Sequence, residues 1–238
     1  MVHFRTSPNT GTRAVFKRCN SWVTGKLSPI VKSFEPDIAG HIGEYERGAN
    51  NISTTATRFA TTGEVLDGSK GGKDGVRDEG SQNGAFRHVL WQAAIASKFG
   101  SLIAKEVGDA HEENPNATTG IGIVKGRANA DERVDLSNNI IGRKIAEENP
   151  NMSMKDLAVL VLETFKKDGL YTAMKLESSG NFLILKTKLS DDQYQILNDL
   201  IKNLNNEGRT EEQQKARDAF WKKESERLDK QLKASGRI

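Results

Sequence analysis

From Asn83 to Trp91 the chain reads Asn-Gly-Ala-Phe-Arg-His-Val-Leu-Trp, directly after a Gly-rich run. A helix opening here places His88, Trp91, Gln92 and Ile95 on one face, at i, i+3, i+4 and i+7. Two later stretches read as partners for that face, Gly108-Asp-Ala-His-Glu112 and Asp135-Leu-Ser-Asn-Asn-Ile-Ile-Gly-Arg143. Together they gather His, carboxylate, amide and Arg groups, and little comparable occurs elsewhere in the chain. The expected fold must therefore bring three helices to one place.

The remaining patterning predicts a mainly α protein: a multi-helix core, a small β-hairpin and C-terminal helices. The helix over Ala85–Phe99 breaks at Gly100-Ser101, and a second runs from about Leu102 to Glu112. Residues 114–130 read as a loop whose apolar patch, Ile121-Gly-Ile-Val124, tucks onto the core. A third helix spans about Asp131–Glu148 and stops before Asn149-Pro150. Ser153 caps a fourth over Met154–Lys167. Leu170–Leu176 and Phe182–Thr187 flank Ser178-Ser-Gly180 as a hairpin. Ser190-Asp-Asp-Gln193 is a capping box for a fifth helix. A charged last helix runs from Thr210 to about Ala234, with Phe220, Trp221, Leu228 and Leu232 as a thin apolar seam.

Four segments follow from this: an accessory N-terminal segment (1–67), a Gly-rich linker (68–80), a core with hairpin (81–190) and a C-terminal helical extension (191–238). Residues 1–34 carry six Lys or Arg and no Asp or Glu. They read as a docking segment or as a loosely ordered arm. Within the accessory segment, residues 36–60 give a weak helical pattern. The linker has five Gly among the fourteen residues from Asp67 to Gly80 and is expected to be exposed and mobile.

A net charge of +3 over 238 residues makes nucleic acid an unlikely partner for the whole surface, although basic patches could still bind it. The single cysteine, Cys19, leaves no internal disulfide. No apolar run approaches the ~20 residues of a membrane helix, and the N-terminus lacks a signal-peptide core. Synthesis in the cytoplasm is expected, with any export carried by a dedicated apparatus.

At the meeting of the three helices, His88, His111 and Asp135 form a plausible ligand set for a divalent metal, zinc as the first guess. Glu112 then reads as a general base on the rim, partly solvated because the helix ends at Glu113-Asn114-Pro115. Arg87 or Arg143 would hold an anionic group or an oxyanion, and Asn139 would orient a substrate or support a ligand. Two other readings of the same residues stay open: acid–base hydrolysis without a metal, and a polar network that only shapes the core. The second would suit a binding or adaptor protein. Gly108 and Gly142, inside helices, suggest close helix approach or room for a ligand.

The order Asn83, Arg87, His88, Trp91, then Ala110-His111-Glu112, then Asp135, Leu136, Asn138, Asn139, Gly142, Arg143 carries a resemblance. It resembles a family of poorly characterised, mainly helical bacterial domains. These sit at the C-terminal ends of secreted polymorphic toxins and effectors, including proteins linked to type VI secretion. The likeness covers about residues 80–190. It implies a toxin-like or envelope-directed hydrolase acting on peptidoglycan or phospholipid, with a nuclease as the cytoplasmic alternative. An immunity protein and a secretion apparatus would be its partners. One position departs: Gly84 precedes Ala85, where such domains often carry Asp.

Overall fold

The computed structural model describes residues 35–69, 80–112, 114–177 and 179–235. The basic arm, most of the Gly-rich linker and Ser178 of the hairpin turn lie outside the described residues. In chain order the elements are α1 (Glu35–Ile42), α2 (Ile52–Thr61), a 3-10 turn (Thr62–Glu64), α3 (Gln82–Phe99) and α4 (Ser101–His111). Then come β1 (Gly122–Lys125), α5 (Arg127–Glu148), α6 (Met154–Lys167), β2 (Leu170–Lys175), β3 (Asn181–Thr187), α7 (Asp191–Lys202) and α8 (Glu211–Ala234). The chain is mainly α with a small antiparallel sheet.

Helix starts follow local chemistry. Ser81 Oγ accepts from Gly84 N at 3.1 Å and Ser153 Oγ from Asp156 N at 3.2 Å. Ser190 and Thr210 each form a complete capping box, with Gln193 and Gln213 reaching back to the cap. Gly100, at φ 89°, ends α3 and turns the chain straight into α4.

Helix α3 is the centre of the molecule. Thirteen of its eighteen residues are buried, so it is covered on nearly every side. It packs against α2, α4, α5, α6 and β2. Gly142 allows the closest of these approaches, because a Cβ there would stand 2.3 Å from the Val89 carbonyl oxygen of α3. Phe59, Phe86, Leu90, Leu157, Phe165 and Leu197 represent the main core. A smaller core of Ala130, Val134 and Ile184 fills the space between α5 and the inner face of the sheet.

The strand order is β1-β3-β2, antiparallel throughout, with Ile123 opposite Leu183 and Met174 opposite Leu183 on the other side. The hairpin is thus present, and a third strand joins it from the stretch read as a loop. Residues 114–130 are held differently from that expectation. Arg133 of α5 donates to the carbonyls of Gly120 (2.8 Å) and Ile121 (2.7 Å), and Gly120 N donates to Ser137 Oγ (2.8 Å). Of the apolar patch, Val124 packs on the smaller core, whereas Ile121 and Ile123 remain exposed.

Two expected boundaries move. Ala56, Phe59 and Ala60 of α2 are fully buried in the main core, so the described part of the accessory segment belongs to the body. So does α7, through Leu197 and Ile201, whereas α8 buries no residue. At the end of the linker, Gly80 is buried; its N–H donates to Asp131 Oδ1 (2.9 Å) and its carbonyl accepts from Ala173 N (2.8 Å). The weak helical pattern over residues 36–60 resolves into two helices.

The loop between those two helices is clamped by arginines. Arg58 donates to the Glu207 carbonyl (2.8 Å) and to the Ala49 carbonyl. Arg209 donates to the Gly48 and Ala49 carbonyls (3.2 and 3.4 Å), and Arg217 of α8 reaches Gly48. No helix among the described residues is long and apolar enough to cross a membrane.

Candidate metal centre

His88 projects from α3 toward α5. Its Nε2 lies 3.1 Å from Asp135 Oδ2, and its Nδ1 lies 3.4 Å from Asn139 Oδ1. Asp135 and Asn139 are one helical turn apart on one face of α5, so the two side chains bracket the imidazole at both nitrogens. All three residues are buried. Asn138, beside them, is spent on structure: its amide donates to the Tyr171 carbonyl and accepts from Tyr171 N, tying α5 to β2.

The third component comes from the end of α4. The helix stops at His111, and Glu112 takes extended backbone angles, φ −94° and ψ 147°. That change of direction turns the Glu112 side chain inward, where it is 7 % exposed, while His111 is 56 % exposed. One ligand atom each from His88, Glu112 and Asp135 lies within 4.8 Å of the others, a group that could hold a metal ion. This corrects the expected ligand set, in which His111 held that place and Glu112 stayed on the rim. Two residues in a continuous helix diverge by about 100°, and leaving the helix between them exchanges which one points in. The chain beyond is fixed to α5, since Asn114 N donates to Glu132.

His111 stays beside the group. Its ring centroid is 5.7 Å from that of His88 and 5.7 Å from that of Trp91, both edge-on, and its Nδ1 is 3.3 Å from Glu112 Oε1. Trp91 in turn donates from Nε1 to Ser53 Oγ of α2 at 3.0 Å. The α2 helix therefore supports the wall of the site.

Burial, followed by the charges of Arg87 and His111, lowers the His88 pKa well below the ordinary imidazole value, while the Asn139 hydrogen bond works the other way. The nearby Asp135 carboxylate favours an imidazolium, but burial of the ring outweighs it. His88 is a neutral imidazole at neutral pH, the form that ligates metals.

Of the expected anion holders, Arg87 is half-buried next to His88 and its charge acts on that ring. Arg143 is engaged elsewhere. Its Nη1 donates to Gln92 Oε1 at 2.9 Å, two helical turns along α5 from Asp135, so of the two arginines it is Arg87 that lies beside His88. Asn139 touches His88, so of its two expected roles the supporting one matches the geometry. Gln92, which the sequence puts one turn after His88 on the same face without a role in the site, is fully buried.

The donor set suits a divalent cation. Two buried carboxylates close to each other repel, and a doubly charged ion between them removes that cost. An imidazole with two carboxylate oxygens fits zinc, manganese or iron rather than a soft thiophilic metal.

Residues 50–169 match the model of a family described as a domain of unknown function (DUF6973). The match begins just before α2 and ends after α6, so it contains every residue of the candidate centre. No curated protein matches the chain, and no solved structure does.

Proposed function

The chain belongs to the family described as a domain of unknown function (DUF6973), and from the site built within the matched region we propose that it is a divalent-metal-dependent hydrolase. The observation that carries this reading is the buried convergence of His88, Glu112 and Asp135. When bound, the cation would acidify a water and polarise the bond to be cut. His88, Glu112 and Asp135 would hold it, the two carboxylates offsetting its charge.

His111 then takes the role first given to Glu112. It is exposed and borders the cluster, so it can accept the water's proton and return it to the leaving group. Arg87 would stabilise negative charge developing on the substrate. The resemblance to secreted toxin and effector domains supports envelope material, peptidoglycan or phospholipid, as substrate. It also supports delivery by a secretion apparatus and an immunity partner.

The test combines metal analysis with growth. The purified chain should bind one Zn²⁺ or Mn²⁺, and Asp135→Ala should lose it. Glu112→Gln should lose metal as well, whereas His111→Gln should keep metal and lose ~10²–10⁴-fold in rate. Growth arrest on periplasmic targeting supports envelope material, and arrest only in the cytoplasm favours a nuclease. An unmodified chain with neither metal nor toxicity overturns the hydrolase reading in favour of a binding or adaptor protein.

A further inference from the structure

We propose that Asn139 is a positioning residue that couples the His88 tautomer to cation binding, through an amide chain that continues to Gln92 and Arg143. The inference rests on the metal reading of the site, because a cation held by His88 needs an Nε2 without a proton.

The neutral ring carries one proton and faces two side chains, Asp135 at Nε2 and Asn139 at Nδ1. If the proton is on Nδ1, it is donated to Asn139 Oδ1, and the Nε2 lone pair is open toward Asp135 and Glu112. If the proton is on Nε2, it is donated to the carboxylate of Asp135 and occupies the place of a cation. Nδ1 is then an acceptor, satisfied only when Asn139 turns its NH2 end toward it.

The other end of the Asn139 amide decides what such a turn costs. Asn139 Nδ2 is buried and has no hydrogen-bond partner, and the same is true of Gln92 Nε2. Both face one point above Gly108, where an added Cβ would stand 3.1 Å from the first and 2.8 Å from the second. Gln92 cannot turn to relieve this. Its Oε1 accepts from Arg143, and a guanidinium has no acceptor to offer in exchange. Gln92 therefore presents NH2 toward Asn139 in every state. Two facing, unpaired NH2 groups are costly in a closed interior. Turning Asn139 by half a turn pairs them, carbonyl to NH2, and gives His88 Nδ1 its donor.

The two states are thus distinct. In the metal-free state Asn139 is turned, His88 carries its proton on Nε2, and every amide is paired. In the cation-bound state Asn139 accepts from Nδ1–H, and the two NH2 ends over Gly108 stay unpaired. The metal–ligand bonds hold that second arrangement, so occupancy of the site is read out three residues away from any ligand atom.

The experiment is nitrogen-15 NMR of the full chain with labelled histidine rings, His88 being assigned by comparison with His88→Asn. The metal-free chain should show the Nε2–H form, and addition of Zn²⁺ should convert it to Nδ1–H. Gln92→Glu has no NH2 to pair with a turned Asn139. It should hold the metal-free ring in the Nδ1–H form without touching His88. Asn139→Asp, which offers oxygen only, should do the same and serves if Gln92→Glu does not fold. An Nδ1–H ring in the unmodified metal-free chain, or a tautomer unmoved in the folded variants, overturns the coupling. Absence of Zn²⁺ binding with the expected variant responses overturns the metal reading and leaves the amide chain standing.

Discussion

At the scale of single residues, His88 is a buried imidazole held between Asp135 and Asn139. Its stability effect has a definite sign. The unfolded ring titrates near 6.5, and burial lowers the folded value well below that. Between the two values the unfolded chain binds the additional proton, so stability present above about pH 6.5 is lost as pH falls toward the folded pKa. The chelator-treated protein should melt at lower temperature at pH 5 than at pH 7.5. In His88→Gln that dependence should be shallower, and equal slopes would show that other groups set it. The sequence made His88 and Asp135 legible, because each lies on a helical face with recognisable companions. It did not make the inward turn of Glu112 legible. That turn depends on the helix ending one residue earlier, and on a loop tied down by Glu132, Arg133 and Ser137 of a different element.

At the scale of elements, the site depends on how closely α5 crosses α3. Gly142→Ala would push a methyl group against the Val89 carbonyl, which is backbone and cannot swing aside. The expected cost is about 1–3 kcal/mol of unfolding free energy, read by urea denaturation. At Gly108 an added methyl would meet the ends of two amide side chains. Gly108→Ala should therefore cost less stability than Gly142→Ala, and a reversed order would place the tight crossing at α4 instead. The helices were readable because their starts are written locally, in Ser153, Ser190 and Thr210 and, for the last two, in Gln193 and Gln213 three residues on. Strand β1 was not. It is four residues long, it sends only Val124 toward the small core while Ile123 lies at the exposed surface, and its partner β3 lies beyond two helices and β2. Nothing local marks such a pairing.

At the scale of the whole molecule, the body is larger than composition shifts suggested. Phe59 of α2 is completely buried, so Phe59→Ala should cost about 3–5 kcal/mol, as for a central core residue. A negligible cost in a chemical melt would return α2 to the status of an appendage. Helix α8 should behave in the opposite way. A chain ending after Asp218 retains the Gln214–Asn205 and Arg217–Gly48 contacts and should unfold within about 0.5 kcal/mol of the full chain. The clamp on residues 48–49 has a further consequence. Arg58, Arg209 and Arg217 are drawn together around neutral carbonyls, and the Arg58 pKa falls to about 10 through burial and its two cationic neighbours. Ionic strength screens repulsion between charges but has little hold on a bond to a carbonyl. Salt, which loosens an ordinary ion pair, should tighten this junction. Raising NaCl from 50 to 500 mM should therefore protect the amides of the Gly43–Asn51 turn from hydrogen exchange, and Arg217→Gln should remove most of that gain.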